Sequence, residues 1–172
     1  MNCFLGLDIG LTGGIAIIDA NRRVRVAPLP TIDTGNEKYL DAKKLHQLLL
    51  EWVPVGDRAV IVVEDVQARS IGNSGRATNS MHSQGSMMQS KGIVRAVIAL
   101  AGIQPVWVQP QTWKRQFGLR RLPDEKDTAV KDRARLLAID LFPAMAEALK
   151  TKNSHNRAEA LLMARYGQLT QA

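Results

Sequence analysis

The chain has little cysteine, little acid and no long apolar run. Its one cysteine, Cys3, excludes a disulfide within the chain and suits a reducing cytosol. Cys3 sits inside an apolar stretch and reads as a buried filler. No run approaches the roughly 20 apolar residues that a membrane helix needs. Nor does the N-terminus carry a basic leader ahead of an apolar signal core. A soluble, cytoplasmic protein with no membrane partner is therefore expected. Acid is outnumbered: 16 Asp and Glu face 23 Lys and Arg, for a net charge of +7. Such an excess speaks to partners rather than to fold, and points to nucleic acid ahead of an acidic membrane surface. What is present is enough apolar material, 45% of 172 residues, to bury one full core. The expectation is a single domain over 1–172.

The pattern along the chain predicts an α/β protein. Residues 3–9 (CFLGLDI) form an apolar run with one carboxylate, Asp8, and read as a buried strand. Gly10, Gly13 and Gly14 turn the chain, and 15–19 and 24–28 complete a meander of hairpins. Leu45, Leu48, Leu49 and Trp52 recur at helical spacing over about 42–52. Residues 59–64 (AVIVVE) read as a central strand that ends in Glu64. The polar, glycine-rich stretch 67–80 reads as a loop, 81–101 as a long helix and 104–108 as a short strand. A basic segment follows at 113–118, then a helix stopped by Pro143 and a last helix from about His155. The order β-β-β-α-β-α-β-α-α implies one five-stranded mixed sheet flanked by helices.

Three carboxylates stand out. A charge inside an apolar strand is costly unless paired, yet Asp8 and Glu64 lie at or near the C-terminal ends of two such strands, where open α/β sheets build their sites. Glu159 falls at the start of the last helix, with His155 four and Asn156 three residues before it on the same face. An oxygen-rich cluster of this kind suits Mg²⁺ or Mn²⁺. Each residue also has a plainer reading. Asp8 caps the glycine turn, Glu64 pairs with an arginine at a sheet edge, Glu159 is a helix-start charge favoured by the dipole, and His155 is a cap. The set of three is harder to explain that way.

These segments resemble the RuvC family of Holliday-junction resolvases, of RNase H-like fold. FLGLDIGLTGGIAIID resembles the family's first hairpin and VIVVED its strand ending in a metal-binding glutamate. SMHSQGSMMQSKGIVRAVIALAGIQPVWVQPQTWKRQFG resembles the following helix, strand and lysine-bearing segment, and HNRAEALLMARYG the closing helix. The ending is most similar in style to phage-borne members. The resemblance covers nearly the whole chain. It implies a homodimer that makes paired nicks across a four-way DNA junction, with two Mg²⁺ ions per site for which Mn²⁺ substitutes. Asp8 and Glu64 would bind the metal, Glu159 would replace the final aspartate, and Lys114 and Lys131 would act near the scissile phosphate. Asn156 departs from the family's aspartate, with His155 a substitute ligand beside it. Gln67 stands where the family often has an aromatic wedge.

Phosphate contact would fall to Arg69, Arg76, Lys114, Arg115, Arg120, Arg121 and Lys131, against the alternative of ordinary solvated charge. Trp107 and Trp113 could stack on bases, with core packing favoured for Trp107. The helix at 81–101 combines Met81, Met87 and Met88 with small residues, which suits a two-fold helix–helix contact between subunits. DIGLTGG also resembles the phosphate hairpin of the sugar-kinase, actin and heat-shock ATPases, but those need a second such lobe. An RNA-processing nuclease of the same fold and a junction-binding protein without cleavage remain as alternatives.

Overall fold

The computed structural model describes residues 2–67 and 81–171. A five-stranded sheet is built from β1 (Asn2–Asp8), β2 (Gly14–Ile18), β3 (Val24–Pro28), β6 (Arg58–Glu64) and β7 (Gln104–Val108), in the order β3-β2-β1-β6-β7. β1, β2 and β3 pair antiparallel, whereas β1, β6 and β7 run parallel. The five-stranded mixed sheet is the one expected. Two additions were not. A small hairpin of β4 (Thr31–Asp33) and β5 (Lys38–Leu40) occupies the polar stretch before the first helix. A short helix, α3 (Pro110–Gln116), occupies the basic segment.

The other helices are α1 (Ala42–Trp52), α2 (Met81–Leu100), α4 (Asp127–Leu141) and α5 (His155–Thr170). Asp41 caps α1 by accepting from the Lys44 amide at 3.0 Å, satisfying one of the helix's free N–H groups. No helix among the described residues is long and apolar enough to cross a membrane.

Strand alternation sorts the core onto two faces. Leu5, Leu7, Ile15, Ile17, Ile61 and Val63 pack under α1 and α2. Ala16, Ile18 and Val62 face α3, α4 and α5. The second face is lined largely by alanine and glycine, so α5 lies very close to the sheet. A Cβ on Gly6 would stand 1.9 Å from the Ala160 carbonyl oxygen, and one on Gly14 2.7 Å from the Arg157 Cα. Helix-to-strand contact at these glycines fixes where α5 begins relative to the end of β1.

Candidate active site

Parallel pairing brings the first two carboxylates together. β1 and β6 run the same way in the register Leu7↔Val63, so Asp8 and Glu64 follow side by side at the C-terminal ends of two interior strands. α5 supplies the third. Gly6 packs on Ala160, and the preceding residue, Glu159, therefore falls near the end of β1. Glu159 is the fifth residue of α5, beyond the first turn, and is only 6% exposed. It is thus a buried group rather than the helix-start charge that its position in the sequence suggested.

The three carboxylates share one electrostatic environment. Burial pushes Asp8 well above the ordinary carboxylate range, and the charges of Glu159 and Glu64 add to that. The ammonium groups of Lys114 and Lys131 pull in the opposite direction. Burial also raises Glu64, opposed by Lys114 and by a hydrogen bond from Trp113. Lys114 Nζ lies 3.4 Å from Glu159 Oε1, a buried oxygen that accepts no hydrogen bond. A cavity of about 600 Å³ opens beside this pair, lined among others by Arg120, Arg121 and Lys131.

Hard, oxygen-only donors carrying surplus negative charge are the chemistry of a divalent cation site. The unbonded Glu159 oxygen and the raised pKa values of Asp8 and Glu64, whose ionised forms lack a full compensating charge, fit such a group. As placed, no three Asp, Glu, His or Cys side chains among the described residues surround a single point. Lys114 instead supplies the neighbouring positive charge to Glu159.

No protein-family model matches the sequence, and no curated protein matches it. Solved structures do. The structure of Thermus thermophilus RuvC in complex with Holliday junction substrate aligns with 100% of this chain and 98% of that one, at a TM-score of 0.58 and 16% identity. The fold is that of RuvC. A second Thermus thermophilus RuvC structure aligns at a TM-score of 0.47 over 97% of this chain and 96% of that one, again at 16% identity.

Within this RuvC fold, the Asn156 backbone lies against Gly14, the register partner of Asp8, while its side chain is engaged elsewhere. Asn156 Nδ2 donates to the Thr12 carbonyl and to Thr12 Oγ1, tying α5 to the turn between β1 and β2. That is a donor's task, which the acid expected there from the family could not perform. Asn156→Asp should cost about 1–2 kcal/mol of stability, because a carboxylate would face a carbonyl oxygen. Urea melts of the metal-free protein at neutral pH would measure it. An unchanged midpoint would mean that the Thr12 contact contributes nothing. His155 Nδ1 lies 2.9 Å from the Lys152 carbonyl, so this nitrogen carries the proton. The ring borders a separate depression of about 480 Å³ with Lys152 and Asp132.

The basic residues divide by place. Lys114 and Arg115 close α3; Arg115, Arg120, Arg121 and Lys131 are exposed. Arg69 and Arg76 lie outside the described residues, and Gln67 is exposed. Trp113, left open above for stacking on bases, is fully buried and donates from its indole nitrogen to Glu64 Oε1 at 3.1 Å. Trp107 is half-buried, with the Arg95 guanidinium 4.9 Å and the Lys91 ammonium 5.5 Å from its ring centre.

Sequence reasoning missed a polar knot beside Glu64. Asp65 accepts from Lys91 Nζ at 2.6 Å and from Gln109 Nε2 at 3.1 Å, and Lys91 also donates to the Val66 carbonyl at 2.8 Å. The Lys91 ammonium holds Asp65 below the usual carboxylate range. The knot joins β6, α2 and the end of β7. Its one sequence signal was an acid directly after the strand-end glutamate. Arg133 was missed too. It grips Glu125 at 2.8 and 2.9 Å and the Arg120 carbonyl at 2.9 Å, bracing the loop that carries Arg120 and Arg121.

Proposed function

We propose that the chain is a single-domain, structure-specific endonuclease that resolves four-way (Holliday) DNA junctions by paired nicks, using Mg²⁺ or, in its place, Mn²⁺. The observation that carries this reading is the gathering of Asp8, Glu64 and Glu159, from three separate elements, beside Lys114 in a fold of the RuvC type. The protein in the matched complex is bound to Holliday junction substrate. Asp8, Glu64 and Glu159 would hold the metal, which when bound activates water and stabilises the leaving oxygen of a phosphodiester.

The chain's own groups have separate tasks. Lys114 and Lys131 draw a backbone phosphate towards the carboxylates by charge. Arg115, Arg120 and Arg121 hold neighbouring phosphates without reading sequence. Lys114 neutralises Glu159 until the site is loaded.

The test is a labelled synthetic four-way junction with Mg²⁺ or Mn²⁺, beside linear duplex, forked DNA and an RNA hairpin. Symmetric nicks in the junction are expected, and none with Glu64→Gln, which keeps the side chain's shape and removes its charge. Preferential cutting of the RNA hairpin would overturn the substrate assignment. A second reading, a junction-binding protein without cleavage, is favoured by the commitment of the Asn156 amide to Thr12. It expects tight junction binding and no nick in either metal.

Two nicks on one junction call for two sites, hence a homodimer. The exposed face of α2 supports this. Gly85, Gly92, Ala96 and Ala99 are all exposed, at spacings that share one side of the helix. A Cβ at Gly85 or Gly92 would meet nothing within 4 Å among the described residues. Gly92→Leu should therefore leave the fold of each subunit intact and shift sedimentation towards monomer at micromolar concentration. A dimer of unchanged strength would exclude this face as the interface.

A further inference from the structure

We propose that Trp113 is a positioning residue for Glu64. Its indole N–H ties up one oxygen of the carboxylate and leaves the other to meet a divalent cation. The inference rests on the metal-dependent reading of the site given above and adds a residue to it.

The argument starts from α3. Its consecutive residues Trp113 and Lys114 reach two different carboxylates: Trp113 Nε1 donates to Glu64 Oε1 at 3.1 Å, and Lys114 Nζ stands 3.4 Å from Glu159 Oε1. The Lys114 ammonium also lies 5.1 Å from the Trp113 ring centre, so each side chain limits the other's freedom. Trp113 is 0% exposed and is packed among Ala134, Ala138, Leu119 and Leu149.

Packing alone would be served by phenylalanine or leucine in that space. A buried indole differs in carrying an N–H that must find an acceptor, and here the acceptor is a carboxylate partly withdrawn from water. At 3.1 Å the bond is of ordinary length, and whenever Glu64 is ionised it gains the added strength of a charged acceptor. It selects one rotamer of Glu64 and assigns different tasks to its two oxygens. A metal-ligating carboxylate is commonly oriented by a second hydrogen bond of this kind, and loss of the partner lowers metal affinity about 10–100-fold.

Two measurements test the assignment, neither of them an assay of cleavage. In the metal-free protein, the indole N–H resonances of the three tryptophans are assigned in the wild type through their own side chains. The Trp113 resonance should shift in Glu64→Ala, while those of Trp52 and Trp107 stay in place. Titration with Mn²⁺ alone should then give an affinity about 10-fold or more weaker in Trp113→Phe than in the wild type.

A merely structural Trp113 would lower the melting temperature of Trp113→Phe and leave its Mn²⁺ affinity as in the wild type; that result overturns the inference. So does a Trp113 resonance indifferent to Glu64→Ala, a measurement that does not depend on the phenylalanine variant folding. Absence of Mn²⁺ binding by the wild type overturns the metal reading of the site and this inference with it. The two failures are thereby distinguished.

Discussion

Gly6→Ala is expected to unfold the protein at temperatures where the wild type is intact. The added methyl would stand 1.9 Å from the Ala160 carbonyl oxygen, 2.5 Å from the Ala164 nitrogen and 2.9 Å from the Met163 Cβ. Two of the three neighbours are backbone atoms of α5, so no rotamer change relieves the clash. Helix and central strand must separate, and contacts along the alanine-lined face are lost together. The cost should exceed about 4 kcal/mol, at the far end of single substitutions. Gly85→Ala supplies an internal control. Its methyl would meet nothing within 4 Å among the described residues of one subunit, so at concentrations that keep the protein monomeric it should stabilise the fold by roughly 1 kcal/mol through helix propensity. Urea melts of the two variants should move in opposite directions. Equal midpoints for Gly6→Ala and wild type would show that α5 does not press on β1 as closely as described.

Asp8→Asn is expected to abolish nicking and, in the absence of metal, to make the protein more stable. The folded state raises the pKa of Asp8 through burial and through the charges of Glu159 and Glu64. The folded protein therefore binds this proton more tightly than the unfolded chain, whose aspartates titrate near about 3.9. Stability is fully present below that value and is lost as pH rises through the raised one, since the ionised carboxylate is disfavoured only in the fold. Glu64, raised in the same direction, adds to the slope.

Asparagine removes the Asp8 contribution. Its metal-free stability should exceed that of the wild type at neutral pH and should fall less as pH rises from about 4. Mg²⁺ should reverse the comparison. Bound ion at about 100 times its dissociation constant stabilises the folded wild type by roughly 2.7 kcal/mol, and the variant, lacking the ligand, should gain far less. Thermal melts across pH, with and without Mg²⁺, together with the junction assay, check all parts. A metal-free Asp8→Asn protein less stable than wild type would mean that the carboxylate is not under electrostatic strain.

The contrast between what was readable in the sequence and what was not follows from range. β1 and β6 were legible because an unbroken apolar run ending in a carboxylate suits a buried strand and little else. Their parallel register then places Asp8 beside Glu64 without further information. The hairpin of β4 and β5 was not legible, because strands of three residues inside a polar stretch carry no periodicity. α3 was hidden for a similar reason, being too short for a repeating apolar face. Asn156 and Thr12 are 144 positions apart, and no local pattern announces that an amide donates to a distant carbonyl. Trp113 offered a large apolar residue next to a basic one, which reads equally as a stacking platform or a core residue. Only its burial against α4 and α5 decides between them. Glu159 taken alone also read as a helix-start charge, and only the close seat of its helix on Gly6 makes it interior.

The seat of α5 also bears on how the protein is made. Residues 8, 64 and 159 come from the beginning, the middle and the far end of the sequence, and the last of them is carried by the helix that follows every strand. Chains emerge from the ribosome N-terminus first, and pairings between distant segments form slowly. A nascent chain can lay down its sheet, but Glu159 joins Asp8 and Glu64 only when α5 has emerged and docked. Half-made copies, and fragments that have lost the helix to a protease, would thus carry the sheet with Asp8 and Glu64 but not the third carboxylate of the proposed metal site.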